Sequence, residues 1–139
     1  MTHQLTRRAA LCAAPVALIP LPALSATDDP ILPLYQEWRA ARAEWFRHYD
    51  LPGNGNWDSP ESMAAANRET RAFYAMADMT PVSMEGIALL ACVLWDAEGP
   101  ASLNDDVYAE ECRTPKNRLI ASIWRAASGQ SGLPPRKVM

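Results

Sequence analysis

The stretch "TPVSMEGIALLACVLWDAEGP", Thr80 to Pro100, decides the fold. Its middle, Met84 to Trp95, is apolar on every face except at Glu85. A helix that is apolar all round belongs at the centre of a bundle. It is also far short of the roughly 20 apolar residues that cross a bilayer. Both ends carry helix punctuation. Thr80-Pro81 opens a start signal, with Ser83 as an alternative cap, and Gly99-Pro100 supplies the stop.

Working toward the N-terminus, Ser59-Pro60-Glu61 reads as another helix start: a capping oxygen, a proline in the first turn and an acid near the positive end of the dipole. The stripe Met63, Ala66, Thr70, Phe73 and Ala77 is expected to be its buried face. Ahead of it, "DLPGNGNWDSP", Asp50 to Pro60, is a loop whose Gly and Asn residues tolerate positive φ. Before the loop, Leu34, Trp38, Ala41, Trp45 and Tyr49 recur at helical spacing. Arg39, Arg42, Glu44 and Arg47 are expected to face water, with Glu44 and Arg47 close enough to pair weakly. Ala26 to Pro33 reads as a lead-in to this helix.

Toward the C-terminus, Leu103 to Arg113 is polar and acidic, with a short helix expected around Val107 to Cys112. Thr114-Pro115 starts the last helix, with Leu119, Ile120, Ile123, Trp124 and Ala127 as its stripe and Ser128-Gly129 as its end. Residues from about 129 onward read as a loose tail. No segment alternates as a strand would. The expected fold is all-α, a small antiparallel bundle of about four helices.

The first 25 residues read differently. Arg7 and Arg8 precede an apolar run, Leu11 to Leu24, which closes on the small residues Ala23 and Ser25. These are the parts of a signal peptide. Thr6-Arg7-Arg8-Ala9-Ala10-Leu11 is similar to the twin-arginine export signal, with Ala10 where Phe is usual. The expected organisation is a signal peptide over 1–25 and a single helical domain over 26–139. Removing the first 25 of 139 residues leaves 114, enough for one core. It also leaves 11 basic against 16 acidic residues, so the net charge moves from −3 to −5. An acidic body argues against general nucleic-acid binding, which relies on Lys and Arg neutralising phosphates.

Cys92 and Cys112 are the two cysteines left after the leader. In an oxidising compartment they form an even set whose bridge would close a loop of about 20 residues and add roughly 3 kcal/mol. The alternative is two free thiols packed as small hydrophobes. No Cys-x-x-Cys, metal-ligand or cofactor motif is present, so neither a cofactor nor a metal is expected. His48, with Asp50 nearby, is the one general-base candidate and lacks a partnering motif. The paired acids Asp105-Asp106 and Glu110-Glu111 lack calcium-loop spacing and read as a solvated face. Trp57, flanked by Asn54 and Asn56, is an aromatic in a polar loop. It is either a binding anchor or a plug on the end of the bundle.

The leader, "LYQEWRAARAEW", "TPVSMEGIALLACVLW" and "NRLIASIWRAASG" together resemble a group of short, uncharacterised bacterial proteins. Those share a Thr-x-x-Gly-like start before an apolar helix, here Ser83-Met84-Glu85-Gly86. The resemblance implies a small helical domain and brings no catalytic residue with it. The functional expectation is an exported, non-enzymatic bundle that binds a partner protein or small ligand in the bacterial envelope. The alternative is a cytoplasmic regulatory or phage-derived accessory protein that keeps its N-terminal arm.

Overall fold

The computed structural model describes residues 28–49, 51–55 and 57–136. They form five helices: α1 (Ile31–Arg47), α2 (Pro60–Ala77), α3 (Met84–Glu98), α4 (Asp105–Cys112) and α5 (Pro115–Ser128). The described residues contain no strand. The leader, with Arg7 and Arg8, lies outside the described residues.

Local chemistry sets the boundaries. Ser59 caps α2 by accepting from the Ser62 N–H at 3.2 Å, with Pro60 in the first turn. Ser83 caps α3 by accepting from the Gly86 N–H at 2.9 Å. The Asn104 side-chain oxygen accepts from both Asp106 and Val107 and starts α4 slightly earlier than expected. Gly129 ends α5 in the left-handed conformation at φ 68°, where glycine is favoured. Gly99 ends α3 for another reason. Its backbone is extended, and an added Cβ would strike Trp95.

α1 begins at Ile31 rather than Leu34, with Pro30 at its N-cap and the preceding Asp29 satisfying its first free N–H. The Asp29 Oδ1 accepts from the Ile31 N–H at 2.9 Å, and Pro33 sits harmlessly in the first turn.

Two antiparallel hairpins make the bundle. In the first, Ile31 and Trp38 of α1 pack with Ala72 and Met76 of α2. In the second, α3 and α5 close over Ala88, Ala91 and Trp124, and over Trp95, Ile120 and Ala121. The hairpins meet along α1 and α3, which run parallel. Asp29 binds Ser83 at one end of that seam, and Arg42 binds Asp96 at the other. Val93 of α3 completes the core of the first hairpin.

α3 therefore lies between α1 and α5, as its all-round apolarity implies. Some of that apolarity reaches the surface. Ile87, Leu90 and Leu94 border a shallow hollow of about 180 Å³ with Ile120 and Ile123.

The expected buried face of α2 is wrong by about one residue. Ser62, Ala65, Ala72 and Met76 are buried, while Met63, Thr70 and Ala77 are exposed. Small residues let the two helices approach, and the interface carries Glu69, which holds Trp38 and Arg42 of α1. Leu119 and Ile123 of α5 are likewise exposed, and Asn117 and Ala121 take buried positions.

Candidate functional site

A groove of about 630 Å³ runs along α1, bordered by α3, the α1–α2 loop and the C-terminal tail. Its walls include the rings of Tyr35, Trp38, Phe46, Tyr49 and Trp57. Between the rings stand the guanidinium groups of Arg39, Arg42, Arg47 and Arg136, with Asp96 as the one carboxylate among the described lining residues.

Arg42 anchors the floor. Its Nη1 meets Glu69 of α2 at 3.0 Å and its Nη2 meets Asp96 of α3 at 2.9 Å. Its guanidinium lies over Trp38 at 5.3 Å and over Phe46 at 5.6 Å. The Trp38 indole N–H also donates to Glu69, at 2.9 Å. One cation thus joins three helices and holds two rings, and its Nε is buried without an acceptor among the described residues. The sequence expectation that Arg42 faces water does not hold, because its reach brings the charge to carboxylates on two neighbouring helices. Glu44 pairs with Arg68 of α2 at 2.7 Å rather than with Arg47.

Trp57 forms the far wall. Its ring meets Trp45 at 5.1 Å, Phe46 at 6.0 Å and Tyr49 at 4.8 Å between centroids. Its backbone is left-handed, at φ 60°. That conformation costs a bulky residue about 1–3 kcal/mol and persists only when its surroundings enforce it. Ring contacts with Trp45 and Phe46 of α1 and with Tyr49 just past its end supply that enforcement. Trp57 thus closes the end of α1 and lines the groove.

Asn54 plays a different part. It is buried, its Nδ2 donates to the His48 carbonyl at 2.7 Å, and its Oδ1 accepts from the Ser59 N–H at 3.0 Å. Both ends of its amide tie α1 to α2, so it positions Trp57 and does not line the groove. Asn56 lies outside the described residues, as does Asp50. His48 caps the end of α1 with its Nδ1 buried and unpartnered among the described residues.

The described part of the tail, through Arg136, is fastened rather than loose. Pro134 is buried, and the Arg136 guanidinium lies 4.2 Å over Tyr108, bonds Asp105 at 3.0 Å and donates to the Ser102 carbonyl at 3.0 Å. This brings Pro135 and Arg136 to the edge of the groove. Asp105 and Asp106 sit in the first turn of α4, where their charge suits the dipole.

Cys92 lines the groove and Cys112 does not. Both are free thiols, so the bridge that spacing and compartment allowed is not formed. Cys92 packs with Ala88, Ala91 and Trp124, whereas Cys112 packs with Trp95, Ile120 and Ala121. Burial pushes the Cys92 thiol up, against a weaker opposing hydrogen bond from Trp124. Burial also raises Tyr35, whose ring lies 6.0 Å beneath the Arg39 guanidinium.

Among the described residues singled out from sequence, Trp57 alone both lines the groove and fits a binding role. The contributions of Tyr35, Arg39, Phe46, Arg47, Asp96 and Arg136 went unread. Spacings of three and four from Tyr35 through Arg39, Ala43 and Phe46 do mark one face of α1, and that signal could have found half the site. No protein-family model matches the chain, and no curated protein or solved structure is significantly similar to it.

Proposed function

We propose that the chain is an exported, non-enzymatic helical module that binds a small ligand in the bacterial envelope. The groove along α1 carries the binding half of this reading. Its volume of about 630 Å³ falls within the range of small-molecule sites, roughly 300–1,000 Å³. Its lining is suited to holding rather than converting. Guanidiniums stay charged throughout the physiological range, aromatic rings offer stacking area, and burial keeps the Cys92 thiol protonated. The Arg42 network and the enforced backbone of Trp57 pre-form the walls, which reduces the ordering cost of binding. Arg7, Arg8, the apolar run and its small-residue close support export.

Two measurements test the two halves. The mass of the protein recovered from fractionated cells should correspond to a chain starting at Ala26, found in the periplasm. A chain starting at Met1 and confined to the cytoplasm would overturn export. A small-molecule fragment set, followed by NMR at the indole N–H resonances, should shift Trp38 and Trp57. Indole resonances unmoved by any fragment at millimolar concentration would overturn ligand binding.

A further inference from the structure

We infer that the ligand of this groove is an aromatic carboxylate, a flat ring system carrying at least one anionic end. The inference rests on the groove being a small-ligand site and adds the chemistry of what it takes.

The charges of the lining are not equally occupied. Arg42 is taken up by Glu69 and Asp96, and Arg136 by Asp105. Arg39 and Arg47 form no ion pair with any described residue. Two guanidiniums outside any ion pair among the described residues, Arg39 held only by Tyr35, stand out on one groove in a chain whose net charge is −3. They lie eight residues apart on α1, about 12 Å of helix rise, with Ala43 and Phe46 between them on the groove floor. A ring system laid on Phe46 and against Trp57 would place an acidic end within reach of either cation. A guanidinium matches a carboxylate through two parallel N–H···O bonds, a geometry that a neutral alcohol cannot meet. The walls beside it then discriminate flat from bulky bodies, because aromatic faces stack on flat rings.

Three matched probes separate the contributions: 2-naphthoate, 2-naphthalenemethanol and decahydro-2-naphthoate, titrated into the full chain with the Trp38 and Trp57 indole N–H resonances as the readout. 2-Naphthoate should bind at least tenfold more tightly than either of the others at low salt. The Arg39→Ala/Arg47→Ala variant, altered only at exposed positions, should keep wild-type helicity by circular dichroism and lose that preference over the alcohol. If the alcohol binds as tightly as the carboxylate, the anionic class is overturned while the groove stands as a ligand site, and if the variant keeps the preference, the assignment of the anionic end to Arg39 and Arg47 is overturned. If the saturated acid matches 2-naphthoate, the aromatic requirement is overturned. If none of the three moves either indole resonance, this inference fails, and the wider fragment set then decides whether small-ligand binding fails with it.

Discussion

Gly86 has no side chain because Asp29 occupies the space one would need. A Cβ there would collide with the Asp29 carboxylate. That carboxylate is 1% exposed and accepts four hydrogen bonds: from the Ile31 N–H at 2.9 Å, the Val82 N–H at 2.9 Å, the Ser83 N–H at 2.8 Å and the Ser83 hydroxyl at 2.7 Å. The Ser83 hydroxyl in turn accepts from Gly86, so the Ser-x-x-Gly start of α3 is half of a latch whose other half is Asp29. Gly86→Ala forces the carboxylate off its donors. Overpacking costs about 1–3 kcal/mol, and each hydrogen bond lost to a charged group adds about 1.5–3 kcal/mol. The substitution should therefore lower stability in urea unfolding by about 3 kcal/mol or more, and an unchanged midpoint would refute the latch. Acid sensitivity follows from the same group. Burial works to raise its pKa, yet the hydrogen bonds from Ile31, Ser83 and Val82 outweigh burial and hold it below the ordinary 3.8. A depressed folded value gives stability that is complete above the unfolded value and is lost as pH falls through the folded one. Asp29→Asn should flatten the stability curve below about pH 4. A wild-type slope in that variant would assign the acid limb to another carboxylate.

At the scale of elements, what was legible in the sequence follows the range of the interactions. Ser59-Pro60, Ser83, Thr114-Pro115 and Gly129 act within a few residues, so helix starts and stops can be read locally. The buried face of α2 cannot, because Ser62 and Ala65 pack there on size and Glu69 is drawn in by Trp38 and Arg42, about thirty residues upstream. The groove follows the same rule. Trp57 was readable as a loop aromatic, but the cations and rings of α1 become a site only once α3 and Arg136 are folded beside them. Arg42 tests this long-range polar packing. It and its partners Glu69 and Asp96 are 12–16% exposed, so removing the cation takes the shared countercharge from two nearly buried carboxylates, although Glu69 keeps the Trp38 indole N–H. Arg42→Met should cost about 2–4 kcal/mol, about 1 kcal/mol below the range for a fully buried pair because all three side chains touch water. In an E69Q/D96N background the same substitution should cost far less. Equal costs in both backgrounds, read from the two pairs of urea curves, would show that Arg42 contributes by packing on Trp38 and Phe46 and not by charge.

Over the whole molecule, two hairpins are joined by polar latches at both ends of the α1–α3 seam, Asp29 at one and Arg42 at the other, with Val93 packed between. A covalent tie between α3 and the end of α4 would change that design, since it would fix the second hairpin independently of the first. The packing argues against one. Cys92 faces Trp124, Cys112 faces Trp95 and Ile120, and a bridge would draw at least one of them out of its cluster. Both thiols are pushed above their ordinary value of 9.0, chiefly by burial. A raised thiol pKa leaves less thiolate at pH 8, and thiolate is the species that alkylates. Iodoacetamide should therefore label Cys92 and Cys112 slowly in the folded protein. Both should react at the rate of an unstructured thiol in concentrated urea, with no reductant added. Peptide mapping by mass reads each site separately. If Cys92 and Cys112 stay unlabelled in urea until reductant is supplied, the two are bonded, and the second hairpin is held by a covalent link rather than by packing on Trp95 and Trp124 alone.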